Sequence, residues 1–224
     1  MKKPYISIII PTLNEEANIG NVIKGVKNVL YNKEKEIIVV DGYSKDRTVD
    51  IAKNMGAKIL YDNFGKGSAL IKGMHAAQGK ILISMDADLS NKPNELLLLI
   101  AGIEAGYDVC MGSRFLMGGG SEDMPLIRKF GNAFFVFMVN HIYKTKYTDL
   151  CYGYRSFSRE AIKKIKLSEK GFGIETEISI KAKKAHLKIL EIPSFEKKRA
   201  AGIGKLRTFS DGYIILKTIF KNIR

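Results

Sequence analysis

The chain has 224 residues, and its 37 Lys and Arg against 23 Asp and Glu give a formal net charge of +14. Apolar residues make up 46% and charged residues 27%, which is ordinary for a globular domain and excludes a largely disordered chain. The positive charge favours anionic partners such as phosphorylated substrates, a membrane surface or nucleic acid. The two cysteines, Cys110 and Cys151, form neither a disulfide framework nor a metal-ligand spacing, which fits a reducing, cytoplasmic setting.

The first 90 residues alternate between short apolar runs and segments with helical spacing. The predicted strands cover 5–10, 36–40, 58–61 and 81–85, and the predicted helices cover 19–30, 49–55 and the segment after Gly65. Thr12 and Glu15 match a capping box ahead of the first helix. The alternation predicts βαβ units, a mostly parallel sheet, and ligands beyond the carboxyl ends of its strands.

The pattern changes after residue 110, where helices dominate. The elements predicted there are strands at 109–112 and 187–192 and helices at 125–144, 160–165, 175–185 and 209–223. The helix at 125–144 has an aromatic face, and the last helix combines Tyr213 and Phe220 with Lys217 and Arg224. Such faces are typical of helices that lie on a membrane, and equally of a core or dimer contact. No run of eighteen uninterrupted apolar residues predicts a membrane-spanning helix.

Two aspartates, Asp86 and Asp88, directly follow the fourth predicted strand. Hard divalent cations prefer oxygen ligands and bridge carboxylates to diphosphate oxygens. A cation there would act as Lewis acid and template for a departing nucleoside diphosphate. Taken alone, the pair is also typical of a helix N-cap followed by a solvated loop acid.

Three further polar segments accompany this pair. Pro-Thr-Leu-Asn-Glu at 11–15 and Val-Val-Asp-Gly-Tyr-Ser at 39–44 follow strands, and Gly-Lys-Gly-Ser-Ala at 65–69 opens a helix whose free amides favour an anion. In this order and spacing, the segments resemble glycosyltransferase family 2. The resemblance implies an α/β fold of the glycosyltransferase A-type, with a Rossmann-like, mostly parallel central sheet flanked by helices. The family's usual Asp-Asp-Gly-Ser reads Asp41-Gly42-Tyr43-Ser44 here, which lacks the second acid.

The resemblance also implies roles for individual residues. The implied nucleotide-sugar-binding residues are Pro11, Leu13, Glu15, Asp41, Lys66, Asp86, Asp88 and Lys205. The implied ligands of a divalent cation, Mg²⁺ or Mn²⁺, are Asp86, Asp88 and Ser90. Asp88 and Arg199 are the expected catalytic residues.

Motifs in the second half of the chain indicate which members of this family it resembles. Met-Gly-Ser-Arg-Phe at 111–115, Asp-Leu-Cys-Tyr-Gly-Tyr-Arg at 149–155 and Arg-Ala-Ala-Gly-Ile-Gly-Lys at 199–205 resemble the dolichyl-phosphate mannose synthases and related polyprenyl-phosphate hexosyltransferases. That implies inverting transfer of a hexose, with mannose favoured, from GDP-mannose or a UDP-sugar to dolichyl or polyprenyl phosphate. Such an acceptor is mostly dianionic at neutral pH, so it needs cations more than a strong base. Arg114, Arg128 and Arg199 are the expected acceptor-phosphate ligands.

Alternatives remain open from the sequence. Within the family, the donor could be UDP-glucose or another UDP-sugar, or the acceptor a glycan or lipid without phosphate, for which Asp149 or Glu175 would be the base. A nucleic-acid-binding module is opposed by the acids at the strand ends, so we predict no nucleic-acid partner.

We expect one catalytic domain over 1–224, with a nucleotide-sugar-binding half at 1–115 and an acceptor-binding half with interfacial helices at 116–224. Its expected location is cytoplasmic, peripheral on the cytosolic face of a membrane. A membrane-spanning partner subunit, or spanning helices beyond this chain, would complete it.

Overall fold

A seven-stranded sheet forms the centre of the protein in the computed structural model, which describes residues 3–202, 204, 205 and 207–223. Ile203, within the predicted basic motif, and Arg224, at the end of the last predicted helix, lie outside the described residues. The strands are β1 (Ile6–Thr12), β2 (Lys35–Asp41), β3 (Lys58–Tyr61), β4 (Ile81–Ser84), β5 (Val109–Ser113), β6 (Gly120–Ser121), β7 (Arg155–Ser158), β8 (Ile189–Pro193) and β9 (Phe195–Glu196). The α-helices are α1 (Ile19–Val29), α2 (Thr48–Asn54), α3 (Lys66–Ala76), α4 (Leu96–Glu104), α5 (Leu126–Tyr143), α6 (Arg159–Lys164), α7 (Ile174–Lys184) and α8 (Thr208–Lys221).

The strand order of the main sheet is β3-β2-β1-β4-β7-β5-β8. Strand β7 runs antiparallel to both of its neighbours, and the other adjacent pairs are parallel. Strands β6 and β9 form a separate parallel pair. The predicted mostly parallel α/β sheet is therefore confirmed. Because β1, β2 and β4 are parallel neighbours, the loops that follow them meet at one edge of the sheet.

Helices cover both faces of the sheet, and each face carries its own buried cluster. In β1, Ile8 and Ile10 pack toward the face covered by α1, α2 and α4, whereas Ile9 packs toward the face covered by α3, α5 and α7. The alternation follows from the two-residue period of a strand. With both faces buried, β1 is apolar almost throughout, which is why it was easy to predict.

The predicted capping box is wrong. Helix α1 begins only at Ile19, with Asn18 as its N-cap, and Thr12 is the last residue of β1. The Thr12 hydroxyl donates to Asp41, and the Glu15 amide donates to the Thr48 hydroxyl. The spacing was coincidental, since both residues instead hold strand-end loops together.

Helix α4 and strand β7 were not predicted. Helix α4 starts with four consecutive leucines, which hide the apolar periodicity on which a helix prediction depends. Strand β7 reads Arg-Ser-Phe-Ser, and its one large apolar residue, Phe157, gives no recognisable strand pattern. Its position between β4 and β5 buries it nonetheless.

Candidate active site

Backbone strain marks the edge of the sheet where β1, β2 and β4 end. Asn14, Tyr43 and Leu89 have positive φ angles of 51°, 61° and 65°, a conformation that non-glycine residues rarely adopt. Each lies in the loop that follows one of these three strands. Residues held in such conformations concentrate at functional sites. Three of the five non-glycine residues with positive φ in the described part of the chain lie at this edge, and the other two, Lys144 and His186, follow α5 and α7.

Asp41, at the end of β2, is buried and fully hydrogen-bonded. Its Oδ2 accepts from the Ser44 amide at 2.7 Å, and its Oδ1 accepts from the hydroxyls of Ser44 at 2.5 Å and Thr12 at 3.2 Å. The carboxylate thereby ties the loop after β2 to the end of β1. Its expected contact with a nucleoside stays a prediction.

Aromatic and apolar side chains surround this loop. The rings of Tyr43 and Tyr61 are 5.4 Å apart, and their residues are 60% and 43% exposed. Leu13 is 37% exposed, and Pro11 is half-buried in β1. The tyrosine pair was missed from the sequence, because Tyr43 lies in the loop after β2 and Tyr61 is the last residue of β3. The nucleotide-binding roles of Pro11 and Leu13 stay predictions.

Glu15 joins the first loop to the basic segment near the C-terminus. Its Oε1 lies 2.9 Å from Arg199 Nη1 and 3.4 Å from Lys205 Nζ, and its Oε2 accepts from Asn18 Nδ2 at 2.8 Å. Asn18 also donates to the Ala201 carbonyl at 3.1 Å. The structure thus brings the predicted residues Glu15, Arg199 and Lys205 together across more than 180 positions of sequence.

Asp86 and Asp88 lie directly beyond β4, and each carboxylate forms an ion pair with a different basic side chain. Lys66 Nζ is 2.8 Å from Asp86 Oδ1, and Arg199 Nη2 is 2.9 Å from Asp88 Oδ2. Burial and then repulsion by Asp86 raise the pKa of Asp88, against the hydrogen bonds of Ser90 and the charge of Arg199. The two aspartates are one residue apart in the loop that follows β4, so both carboxylates lie at this end of the strand.

The donor set at this point fits a hard divalent cation in part. Within residues 3–202, 204, 205 and 207–223, no group of three His, Cys, Asp or Glu side chains is arranged to hold a metal ion. Asp86 and Asp88 nevertheless present adjacent oxygen ligands, with side chains 26% and 16% exposed, and diphosphate oxygens commonly complete such a shell. Ser90 is buried, and its backbone amide donates to Asp88 Oδ1 at 3.0 Å. Its role as a metal ligand stays a prediction.

Lys66 is the first residue of α3 and reaches two carboxylates. Besides Asp86, it lies 3.0 Å from Glu175 Oε1 near the start of α7. Although burial disfavours its charged form, the carboxylates of Asp86 and Glu175 raise the pKa of Lys66. Lys66 therefore stays protonated and lends positive charge to the strand-end carboxylates.

The predicted anion site on free amides at the start of α3 is wrong for the Ser68 amide, which donates to the Lys170 carbonyl at 3.1 Å. A Cβ atom on Gly65 or Gly67 would lie 2.6 Å or 2.3 Å from a carbonyl oxygen of the loop at 169–171. The two glycines permit close backbone packing against this loop. At the Ser68 amide, the Lys170 carbonyl takes the place that the sequence assigned to an anion.

The other two predicted acceptor-phosphate ligands occupy different surroundings. Arg114, 8% exposed in its side chain, forms a bidentate pair with Asp149 at 2.7 and 3.0 Å, reaches Glu196 at 3.1 Å, and lies over the Tyr152 ring at 4.8 Å. Arg128, on α5, donates from Nε to the Thr208 hydroxyl at the start of α8 at 3.3 Å. Arg199, unlike these two arginines, pairs with the carboxylates of Glu15 and Asp88. The assignment of all three arginines to the acceptor phosphate stays a prediction.

Arg155 holds the loop between α5 and β7. Its guanidinium is buried and donates to the carbonyls of Leu150, Tyr152 and Glu175 and to the Ser179 hydroxyl at 2.8 to 2.9 Å. Burial lowers the pKa of Arg155. The sequence presented it only as the last residue of a motif, and its role is to fix the shape of the segment that lies beside Lys66 and Asp86.

A mostly parallel sheet with paired carboxylates beyond β4 is the arrangement expected from the sequence for an A-type glycosyltransferase. Residues 7–166 match the family model described as glycosyl transferase family 2, so the chain belongs to glycosyltransferase family 2. Among curated relatives, it is 34% identical to a dolichol-phosphate mannosyltransferase of Pyrococcus furiosus, over 98% of this chain and 62% of the relative. It is 30% identical to a dolichyl-phosphate hexose transferase of Haloferax volcanii, over 96% of this chain and 92% of the relative.

A solved structure supports the fold. The glucosyl-3-phosphoglycerate synthase of Mycobacterium tuberculosis, crystallised with Mn²⁺, UDP and glucosyl-3-phosphoglycerate, superposes with a TM-score of 0.78 at 21% identity. The match covers 98% of this chain and 80% of that one. The family and the A-type fold expected from the sequence are therefore confirmed.

Proposed function

We propose that the protein transfers a hexose, with mannose favoured, from a nucleotide diphosphate sugar to dolichyl or polyprenyl phosphate. The observation that carries the proposal is Arg199, which contacts both Glu15 and Asp88. One guanidinium from the acceptor half thereby reaches the carboxylates of the donor site. The names of the Pyrococcus and Haloferax relatives support the acceptor class.

Asp86 and Asp88 are proposed to hold a divalent cation, as the Mn²⁺ in the mycobacterial structure suggests. A cation held there would supply positive charge to the nucleoside diphosphate that leaves. Lys66, which pairs with Asp86, and Lys205, which pairs with Glu15, add positive charge to the proposed donor site. Asp41 fixes the loop that carries Tyr43, beside which we place the nucleoside.

An acceptor phosphate is already nucleophilic, so no side chain has to remove a proton from it. The protein must instead supply positively charged side chains that hold the acceptor phosphate beside the anionic donor. The planar fork of Arg199 suits this task, because a guanidinium binds phosphate through two parallel hydrogen bonds. We propose Arg128 as a second ligand, since it lies where α5 meets the start of α8.

Helices α5 and α8 pack against each other and expose apolar side chains. The exposed apolar residues are Leu126, Ile127, Phe130, Phe134 and Phe137 on α5, and Phe209, Tyr213, Phe220 and Ile223 on or just beyond α8. Lys129, Lys217 and Lys221 are exposed on the same helices. This combination favours an anionic membrane surface, and there the polyprenyl chain would be met.

Association with the cytosolic face of a membrane is part of the proposal, with a membrane-spanning partner subunit as a further expected component. Among the helices that the structure describes, none has the length and apolar character needed to cross a bilayer. Attachment through these helices would be at the surface.

Donor and acceptor are tested together by product analysis. The protein is incubated with Mn²⁺, polyprenyl phosphate and either GDP-mannose or UDP-glucose, and the lipid fraction is assayed for a sugar released by mild acid. The matched control is polyprenol, which has the same chain without the phosphate. Transfer to polyprenyl phosphate alone is expected, whereas equal transfer to both lipids would refute the phosphate acceptor.

A second candidate is a UDP-sugar donor with an acceptor that lacks phosphate, which the UDP-bound mycobacterial structure favours. Such an acceptor needs a base. Arg114 occupies both oxygens of Asp149, so Glu175 would have to serve. Product from UDP-glucose and a sugar or lipid alcohol would support this candidate.

A further inference from the structure

The Lys66 ammonium joins two carboxylates that are far apart in sequence. Its Nζ lies 2.8 Å from Asp86 Oδ1 and 3.0 Å from Glu175 Oε1. The Glu175 side chain is only 4% exposed, and Oε1 makes no hydrogen bond with any other described group. Because a buried carboxylate is costly without a counter-charge, Glu175 depends on this ammonium, and the ammonium is held by it.

Backbone packing fixes Lys66 and Glu175 relative to each other. The start of α3 is pressed against the loop at 169–171 through the Ser68 amide and the bare Cα of Gly67. That loop leads into α7, whose second residue is Glu175. The two side chains therefore approach each other from anchored main chains, so their contact does not depend on a flexible surface segment.

Gly153 lies against the side chains of Lys66, Glu175 and Asp86. A Cβ atom at residue 153 would lie 3.0 Å from Lys66 Nζ, 3.2 Å from Glu175 Oε1 and 3.3 Å from Asp86 Oδ2. The Gly153 carbonyl accepts from the Ser84 hydroxyl at 2.6 Å, which ties this stretch to the end of β4. The ammonium is thus confined on the side of Gly153 by main chain.

We propose that Glu175 is a positioning residue for the donor site. Through Lys66 it fixes the Asp86 carboxylate, with Oδ1 on the ammonium and Oδ2 left for a divalent cation. Glu175 also offsets the charge of Lys66, which would otherwise repel a cation from Asp86. The inference rests on the proposed function in one respect, namely that Asp86 is a cation ligand.

The test measures Mn²⁺ binding to the protein without nucleotide or acceptor, by the loss of the free Mn²⁺ signal in electron paramagnetic resonance. Glu175→Gln is expected to weaken Mn²⁺ binding about tenfold, because a unit charge is lost a few ångströms from the ligand oxygens. The matched control is Glu177→Gln, the same change two residues further along α7. Glu177 pairs with Lys181 at 2.7 Å and accepts from Ser168, so this control is expected to bind Mn²⁺ as the wild type does.

A second variant keeps every charge. Glu175→Asp withdraws the carboxylate from Lys66 Nζ by one methylene and leaves the surroundings of Asp86 Oδ2 unchanged, whereas a methyl group at residue 153 would also lie 3.3 Å from that oxygen. Weaker Mn²⁺ binding is expected again, and this variant decides the matter if Glu175→Gln does not fold.

Wild-type Mn²⁺ affinity in both Glu175→Gln and Glu175→Asp would overturn the positioning role. Lost turnover with unchanged Mn²⁺ affinity in Glu175→Gln would overturn it too, and would point to a base. If the wild-type protein itself bound no Mn²⁺, the cation assignment of the proposed function would fall along with this inference.

Discussion

Replacing Arg199 by Ala is expected to weaken the binding of polyprenyl phosphate and to strengthen the binding of Mn²⁺. The guanidinium donates to Glu15 at 2.9 Å and to Asp88 at 2.9 Å, and its side chain is 17% exposed. Hydrogen bonds to charged groups contribute about 1.5–3 kcal/mol each. The loss of one such contact to the acceptor phosphate would raise the KM for polyprenyl phosphate about 10- to 100-fold. Freeing Asp88 Oδ2 should at the same time strengthen Mn²⁺ binding.

The assay varies polyprenyl phosphate at saturating donor, then varies donor at saturating acceptor, and follows Mn²⁺ binding separately. The control is Arg199→Lys, which keeps the charge and loses the fork, and which should fall between wild type and Arg199→Ala. Equal losses for donor and acceptor, or weaker Mn²⁺ binding in Arg199→Ala, would refute the assignment of Arg199 to the acceptor.

Three other outcomes are expected. Asp88→Ala should abolish transfer and leave the circular dichroism spectrum unchanged; normal turnover would remove Asp88 from the donor site. Gly67→Ala should lower the free energy of unfolding in urea by at least about 1–3 kcal/mol, because its Cβ would lie 2.3 Å from the Glu169 carbonyl oxygen, and an unchanged midpoint would contradict the packing. Phe130→Asp, at a residue 73% exposed, should weaken sedimentation with anionic vesicles without a change in thermal stability; undiminished sedimentation would argue against α5 as a membrane surface.

Strands β1 and β2 were predicted because they are buried on both faces. Strands β1 and β2 are apolar on both faces, so a continuous run of isoleucine and valine suffices to identify them. The polar segments after them were predicted to meet, because parallel neighbours share their carboxyl edge. Strand β7 could not be predicted, since its burial comes from the strands on either side of it and not from its own composition.

The partners of the site residues were beyond prediction for a different reason. Glu15 and Arg199 were both expected in the site, yet nothing local relates residues 184 positions apart. Glu175 was considered only as a base, because its ammonium partner lies on another helix. The glycines at 65 and 67 have the spacing of an anion-binding loop, and only the chain that passes over them shows that they serve packing.

The position of β7 in the sheet has a consequence for how the molecule can be divided. This strand belongs to the second half of the sequence, but it is the one that connects β4 to β5, both from the first half. A fragment cut after residue 115 would therefore keep two edges with nothing to bridge them, and would also lose the stretch around Gly153. The segments 1–115 and 116–224 therefore share one sheet, and neither is expected to fold when expressed without the other.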